Sequence, residues 1–176
     1  RISAKIDQPA SFAPPRAPGI QPQIAAKAQP YTLRISSYGT DSKWAVPNLN
    51  TLRQAGQMAF LVPGSEQEPM LRLLSGSFAN WDAAYQEGRK LRDAGLASDI
   101  APAYLPFTAE LGRFSQQRET LQFLQELGEK ARFCYVQPLA EGGQRVLAGA
   151  FETQEEAAAA ITAMVGSGKG AQVARR

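Results

Sequence analysis

The feature that most constrains this chain is an internal duplication. An apolar run that ends in Gly76 and Phe78 returns as a similar run that ends in Gly149 and Phe151, 73 positions later. A repeat of this length is too long for one unit of a solenoid and long enough for a small α/β unit. The duplication therefore predicts two small domains in tandem, at residues 31–104 and 105–176.

Residues 1–30 differ in kind from the rest of the chain. They hold six of the twelve prolines and show neither the helical nor the strand periodicity of apolar residues. Such a stretch buries too little apolar surface to offset the entropy lost on ordering. We expect an extended, Pro-rich linker. Because the chain begins at Arg1 rather than Met, we also expect a fragment or processed product, which leaves open a signal peptide or a membrane anchor upstream.

Each copy has the signals of strand, helix, two strands, helix and strand. Apolar and polar residues alternate along Tyr31–Tyr38 and Phe107–Phe114, as in half-buried strands. Helices are predicted at residues 42–55, 81–94, 115–127 and 154–166, and the other strands at 58–62, 70–78, 98–103, 131–137, 144–151 and 172–175. The predicted class is α+β. Two tandem βαββαβ (ferredoxin-like or RNP-like) modules each form an antiparallel four-stranded sheet, with two helices on one face and the other face open.

The composition excludes several kinds of chemistry. The chain has no histidine and a single cysteine, Cys134. It therefore cannot form an internal disulfide, a zinc site of the usual kind or a histidine-based catalytic triad. We expect no enzyme activity, no metal and no cofactor. Trp44, Trp81 and Tyr85 fall on apolar helix faces and are predicted to lie in the core.

The strand motifs resemble those of the SPOR (sporulation-related repeat) domain. The first-strand motif of that family is matched at Tyr31–Tyr38 and Phe107–Phe114, and its third-strand motif at residues 71–78 and 144–151. The resemblance covers nearly all of the chain after the linker. It implies a periplasmic cell-envelope protein, anchored by a segment outside this chain, that binds peptidoglycan glycan strands at division sites through the open face of its sheet.

Strand alternation predicts which side chains face the ligand. An arginine there could hold the carboxylate of muramic acid, or it could be a solvated residue or part of a cross-strand ion pair. Phe60 could stack on a sugar or contact the other module, and no aromatic residue is expected on the open face of the second copy. Glu110 is expected to pair with Arg145 or Arg132. The candidate glycan- or partner-binding residues are Arg34, Ser36, Phe60, Arg72, Leu74, Glu110, Arg132, Arg145 and Leu147.

Two functions remain open at this point. One is glycan binding; the other is a structural subunit of an envelope-spanning machine (secretion, pilus or flagellar) that uses the same modules for protein contacts. The second is favoured by the departures of the second copy from the family pattern, such as Glu110 where the family has Gln, and by the extended N-terminal segment. Nucleic acid is not expected as a partner. The third strands offer no outward aromatic for base stacking, and the net charge of +3 lies in residues 1–30.

Overall fold

The computed structural model describes residues 28–166 and 170–176. The linker prediction for residues 1–30 therefore lies outside the described residues, except at its last three positions. The elements of the first half are β1 (Tyr31–Gly39), α1 (Ala45–Gln54), β2 (Ala59–Pro63), β3 (Met70–Phe78), α2 (Trp81–Asp93) and β4 (Ala101–Tyr104). Those of the second half are β5 (Phe107–Phe114), α3 (Gln117–Leu127), a 3₁₀ helix (Gly128–Phe133), β6 (Cys134–Pro138), β7 (Gln144–Phe151), α4 (Gln154–Val165) and β8 (Gln172–Arg175).

The strands form two four-stranded antiparallel sheets. Their orders are β2-β3-β1-β4 in the first sheet and β6-β7-β5-β8 in the second. One face of each sheet packs on the two helices of its own half, around Leu33 and Leu73 in the first half and Ala109 and Val146 in the second. The predicted α+β class, with two antiparallel sheets and four α-helices, is confirmed.

Local signals set the helix ends. The Asn80 side chain accepts a hydrogen bond of 2.8 Å from the Ala83 backbone N–H and begins α2. Thr153 and Glu156 form a capping box at the start of α4, in which each side chain accepts from the other residue's backbone. Gly128 follows the last residue of α3. These signals belong to neighbouring residues, which is why the sequence predicted them.

The predicted strand 131–137 is wrong in its first half. Residues 128–133 form a 3₁₀ helix, and β6 begins only at Cys134. Ala131 is buried there, and Phe133 packs against the helix-side cores of both halves. Arg132, which we expected on the sheet face, therefore lies outside the sheet and pairs with Glu129 at 3.6 Å.

The prediction that both tryptophans lie in the core is also wrong. Trp44 is 60% exposed and Trp81 is 48% exposed. Trp44 precedes α1 and Trp81 is the first residue of α2, so each lies at the end of its helix's apolar stripe. Tyr85 is half-buried and stacks on Trp81, with ring centroids 5.0 Å apart.

Candidate functional site

The two helix-free sheet faces, which were expected to be open, pack against each other over part of their area. A third apolar cluster lies between the sheets, with members from both halves: Phe60, Val62, Leu74, Tyr135, Leu147 and Ala150. Its centre is a stacked ring pair, Phe60 and Tyr135, with centroids 4.3 Å apart. Phe60, Leu74 and Leu147 are fully buried in this cluster, so they cannot serve as the exposed glycan contacts that strand alternation suggested.

Tyr135 is a site residue that the sequence analysis missed. It pairs with Leu147 across β6 and β7, just as Phe60 pairs with Leu74 across β2 and β3. The counterpart of Phe60 is therefore Tyr135 and not Arg132. The alignment of Cys134-Tyr135-Val136 with Ala59-Phe60-Leu61 was the available signal. Each aromatic residue contacts its own equivalent, as in an interface between two copies related by a two-fold axis.

Arg176 links the two halves through hydrogen bonds. Its buried guanidinium donates hydrogen bonds to the Tyr135 hydroxyl at 2.8 Å and to the Ser77 hydroxyl at 2.6 Å. The same group donates to the backbone oxygens of Gly76 and Leu105 and lies 5.5 Å from the centroid of the Tyr135 ring. These partners belong to both halves, so Arg176 joins the end of β3 to β6.

Arg53 makes a second link between the halves. From α1 it donates to the backbone oxygens of Ala59 in its own half and of Ala131 and Cys134 in the other. Burial lowers the pKa of Arg53 to about 10, which leaves the side chain charged at neutral pH. Burial likewise raises the pKa of the Cys134 thiol to about 12, against a smaller opposing effect of the Arg53 charge. Cys134 is therefore an unreactive core residue.

A cleft of about 600 Å³ remains beside the packed cluster. One wall is the uncovered part of the first sheet's helix-free face, where Arg34 and Arg72 line the cleft. The second half contributes Ala160 and Ala163 of α4 to the lining, and the charged side chains of the lining also include Lys130, Glu68, Glu152 and Glu156. The cleft combines two guanidinium groups with an apolar wall, which suits an elongated ligand with sparse negative charge.

The arginines in the cleft have few partners. The Arg34 side chain is exposed and forms no ion pair or hydrogen bond with another described residue, although its backbone pairs with β3 and β4. Arg72 forms an ion pair with Glu68, whose side chain is 65% exposed. The prediction that Ser36 faces the ligand is wrong: a register shift after Arg34 places Ser36 opposite Leu73, a residue of the helix-side core, and Ser36 does not line the cleft. Arg34 and Arg72 are thus the two charged candidates that line the cleft.

The corresponding place in the second half is filled by an internal ion-pair network. Glu110 is buried and accepts hydrogen bonds from Arg145 at 3.2 Å, Arg113 at 3.0 Å and Gln172 at 2.9 Å. Burial by itself raises the pKa of Glu110, but these hydrogen bonds outweigh it, so the pKa lies below its ordinary value. Arg145 also donates to Gln137. Glu110 and Arg145 are thus satisfied within the chain.

The described residues contain no cluster of three or more potential metal ligands. Within the same residues, no helix is both long and apolar enough to span a membrane. No family model matches the chain, and no curated protein and no solved structure matches it. The site has to be interpreted from its own geometry.

Proposed function

We propose that this chain is a non-catalytic protein of the bacterial cell envelope that binds peptidoglycan glycan strands through tandem SPOR-like modules. Its location is periplasmic, with a membrane anchor outside this chain. The observation that carries the proposal is the placement of Arg34 and Arg72, which project from the helix-free face of the first sheet into the uncovered cleft. That face is the one on which the family resemblance places the ligand.

The packing of the two halves restricts the proposal to one site. Phe60, Leu74 and Leu147 form the contact between the sheets, so they support the shape of the cleft and do not touch the glycan. The second sheet offers no equivalent cationic site because Glu110 already neutralises Arg145. One glycan strand would therefore bind per chain, along the first sheet.

The test is co-sedimentation with purified sacculi, with and without amidase treatment to remove the stem peptides. We expect the chain to sediment more after the treatment. The double variant Arg34→Ala/Arg72→Ala should bind at least about ten-fold more weakly, since a hydrogen bond to a charged group contributes about 1.5–3 kcal/mol. Failure of the wild-type chain to sediment with amidase-treated sacculi would refute the proposal.

A matched control removes the same charge elsewhere. Arg89 on α2 and Arg118 on α3 are both exposed, and neither lines the cleft. The variant Arg89→Ala/Arg118→Ala should therefore sediment like the wild type. An equal loss in both double variants would mean that only net charge matters, and it would remove Arg34 and Arg72 from the proposal.

A second candidate function is that of a structural subunit in an envelope-spanning machine. The observation that favours it is the set of large apolar side chains that stay exposed, including Trp44, Trp81 and Tyr104. Co-purification of a multi-protein assembly at fixed stoichiometry, together with indifference to sacculi, would support this function over glycan binding.

A further inference from the structure

We propose that Arg34 and Arg72 form a binding site for an external carboxylate, and that Glu110 is the built-in carboxylate of the equivalent site in the second half. The inference deepens the proposed function, on which it rests for the identity of the ligand, because it names the group that the cleft recognises. The internal duplication allows one half of the chain to be compared with the other position by position.

Arg34 and Glu110 occupy the same position in their sheets. Arg34 lies opposite Leu74 on one side and Ala101 on the other. Glu110 lies opposite Leu147 and Gln172 in the same way. By the same registers, Ser37 lies opposite Arg72 where Arg113 lies opposite Arg145. Arg72 and Arg145 are therefore equivalent too.

The second half shows what this position can do. The Glu110 carboxylate is 3.2 Å from an Arg145 guanidinium nitrogen, so side chains at these two positions can reach each other. The carboxylate also accepts hydrogen bonds from Arg113 and Gln172, and the Glu110 side chain is only 4% exposed. A carboxylate held between two guanidinium groups is thus already present in the fold.

The first half has the same strand positions but no carboxylate at them. Where the second half has Glu110, it has a second guanidinium, that of Arg34. Ser37 and Ala101 occupy the positions of Arg113 and Gln172, which donate hydrogen bonds to Glu110 in the second half. Among the described residues, Arg72 has only the exposed Glu68 as an acidic partner and Arg34 has none. Arg34 and Arg72 therefore place two positive charges on this face, at a cleft of about 600 Å³ whose other charged lining residues are Lys130, Glu68, Glu152 and Glu156.

A carboxylate from a ligand satisfies this arrangement. The planar guanidinium fork matches the two oxygens of a carboxylate, and two such groups can grip it from two directions. In the proposed glycan ligand this group is the lactyl carboxylate of muramic acid, with the sugar ring against the apolar wall of α4. Arg34 and Glu110 would then decide which half binds the ligand and which half is closed to it.

The experiment uses a small probe, N-acetylmuramic acid, and its uncharged methyl ester as the matched control. Binding to the whole chain is followed by NMR through the side-chain Nε–H signals of the arginines. We expect the acid to shift the signals of Arg34 and Arg72, leaving Arg145 unchanged, and the ester to bind at least about ten-fold more weakly.

Two variants sharpen the test. Arg34→Glu imports the arrangement of the second half, so its carboxylate should pair with Arg72 and abolish binding of the acid. Arg34→Gln removes the charge without supplying a carboxylate, and it should retain weak binding through Arg72. Both changes are on an exposed side chain, so the fold should survive them.

Equal shifts with acid and ester, no shift with either, or unchanged binding by Arg34→Glu would each overturn the inference. Shifts of similar size with inorganic phosphate would also overturn it, since the site would then be a general anion site. These outcomes are separate from sedimentation with sacculi. Sacculus binding with no response to N-acetylmuramic acid would keep the proposed function and reject the carboxylate site. Binding of N-acetylmuramic acid with no binding to sacculi would keep the carboxylate site and reject the proposed function.

Discussion

At the scale of single residues, the recurring Gly-x-Phe motif is explained by a bulge. Gly76 and Gly149 have φ of 81° and 71°, a backbone conformation that favours glycine. Each lies where the third strand of its sheet shifts register against the first. The ring of the following phenylalanine folds back over the glycine, so a side chain there would meet it.

We therefore expect Gly76→Ala to cost about 3 kcal/mol of unfolding free energy. The added Cβ would be 2.5 Å from Cζ of Phe78, in addition to the strain of a positive φ. Urea unfolding measures the loss. Gly95→Ala is the control, since its φ is 72° but nothing lies within 4 Å of its added Cβ. This variant should lose only about 1 kcal/mol. Equal losses of unfolding free energy in the two variants would show that the Phe78 ring does not restrict the side chain at position 76.

The same scale shows why some site residues could be predicted and others not. Alternation correctly placed Leu33 on the helix side of its sheet and Phe60 on the opposite side. It could not reveal what would cover Phe60. Arg176 and Arg53 gave no signal in the sequence, because their partners lie far along the chain. The contact of Arg176 with Ser77 joins positions 99 apart.

At the scale of elements, strands β2 and β6 make the central contact between the sheets. β2 is an edge strand of the first sheet and β6 an edge strand of the second. Their aromatic residues stack across the interface, with an interplanar angle of 25°. Stacked aromatic pairs contribute about 0.5–1.5 kcal/mol beyond the area that they bury. The two strands are therefore energetically coupled although they are not hydrogen-bonded neighbours within one sheet.

A double-mutant cycle measures that coupling. We expect Phe60→Ala to lower the unfolding free energy by about 3–5 kcal/mol, as for other fully buried phenylalanines. Combined with Tyr135→Ala, the loss should fall short of the sum of the single losses by about 1 kcal/mol.

The control cycle pairs Phe60→Ala with Phe123→Ala, a residue of α3 that packs on Phe114 in the other core. These losses should add within about 0.5 kcal/mol, because the two side chains share no cluster. Additive losses for Phe60 and Tyr135 as well would contradict the stacked contact.

At the scale of the whole molecule, the two halves share one apolar cluster and are linked by two buried arginines. Separating them would expose Phe60, Leu74, Tyr135 and Leu147 to water and leave the Arg53 and Arg176 hydrogen bonds unmade. Two domains joined only by a loop would unfold independently. The shared cluster instead favours unfolding as a single cooperative unit.

The chain carries its own probes for this prediction. Both tryptophans, Trp44 and Trp81, lie in the first half, and the only cysteine, Cys134, lies fully buried in the second. Tryptophan fluorescence and pulsed thiol labelling in urea should therefore report one coincident transition. In Phe60→Ala the two midpoints should move apart, because the contact between the halves is weakened. Separate midpoints in the wild-type chain would refute cooperative unfolding of the two halves.

The sequence by itself determined the duplication, most of the secondary structure and the face on which most strand side chains lie. These properties follow from local periodicity, capping residues and the comparison of one copy with the other. Only the tertiary structure decided that the helix-free faces cover each other and leave one cleft open. Alternation places a side chain on a face of a sheet, but it contains no information about which distant surface will pack there. That choice depends on complementarity between residues such as Phe60 and Tyr135, which meet only once the chain has folded.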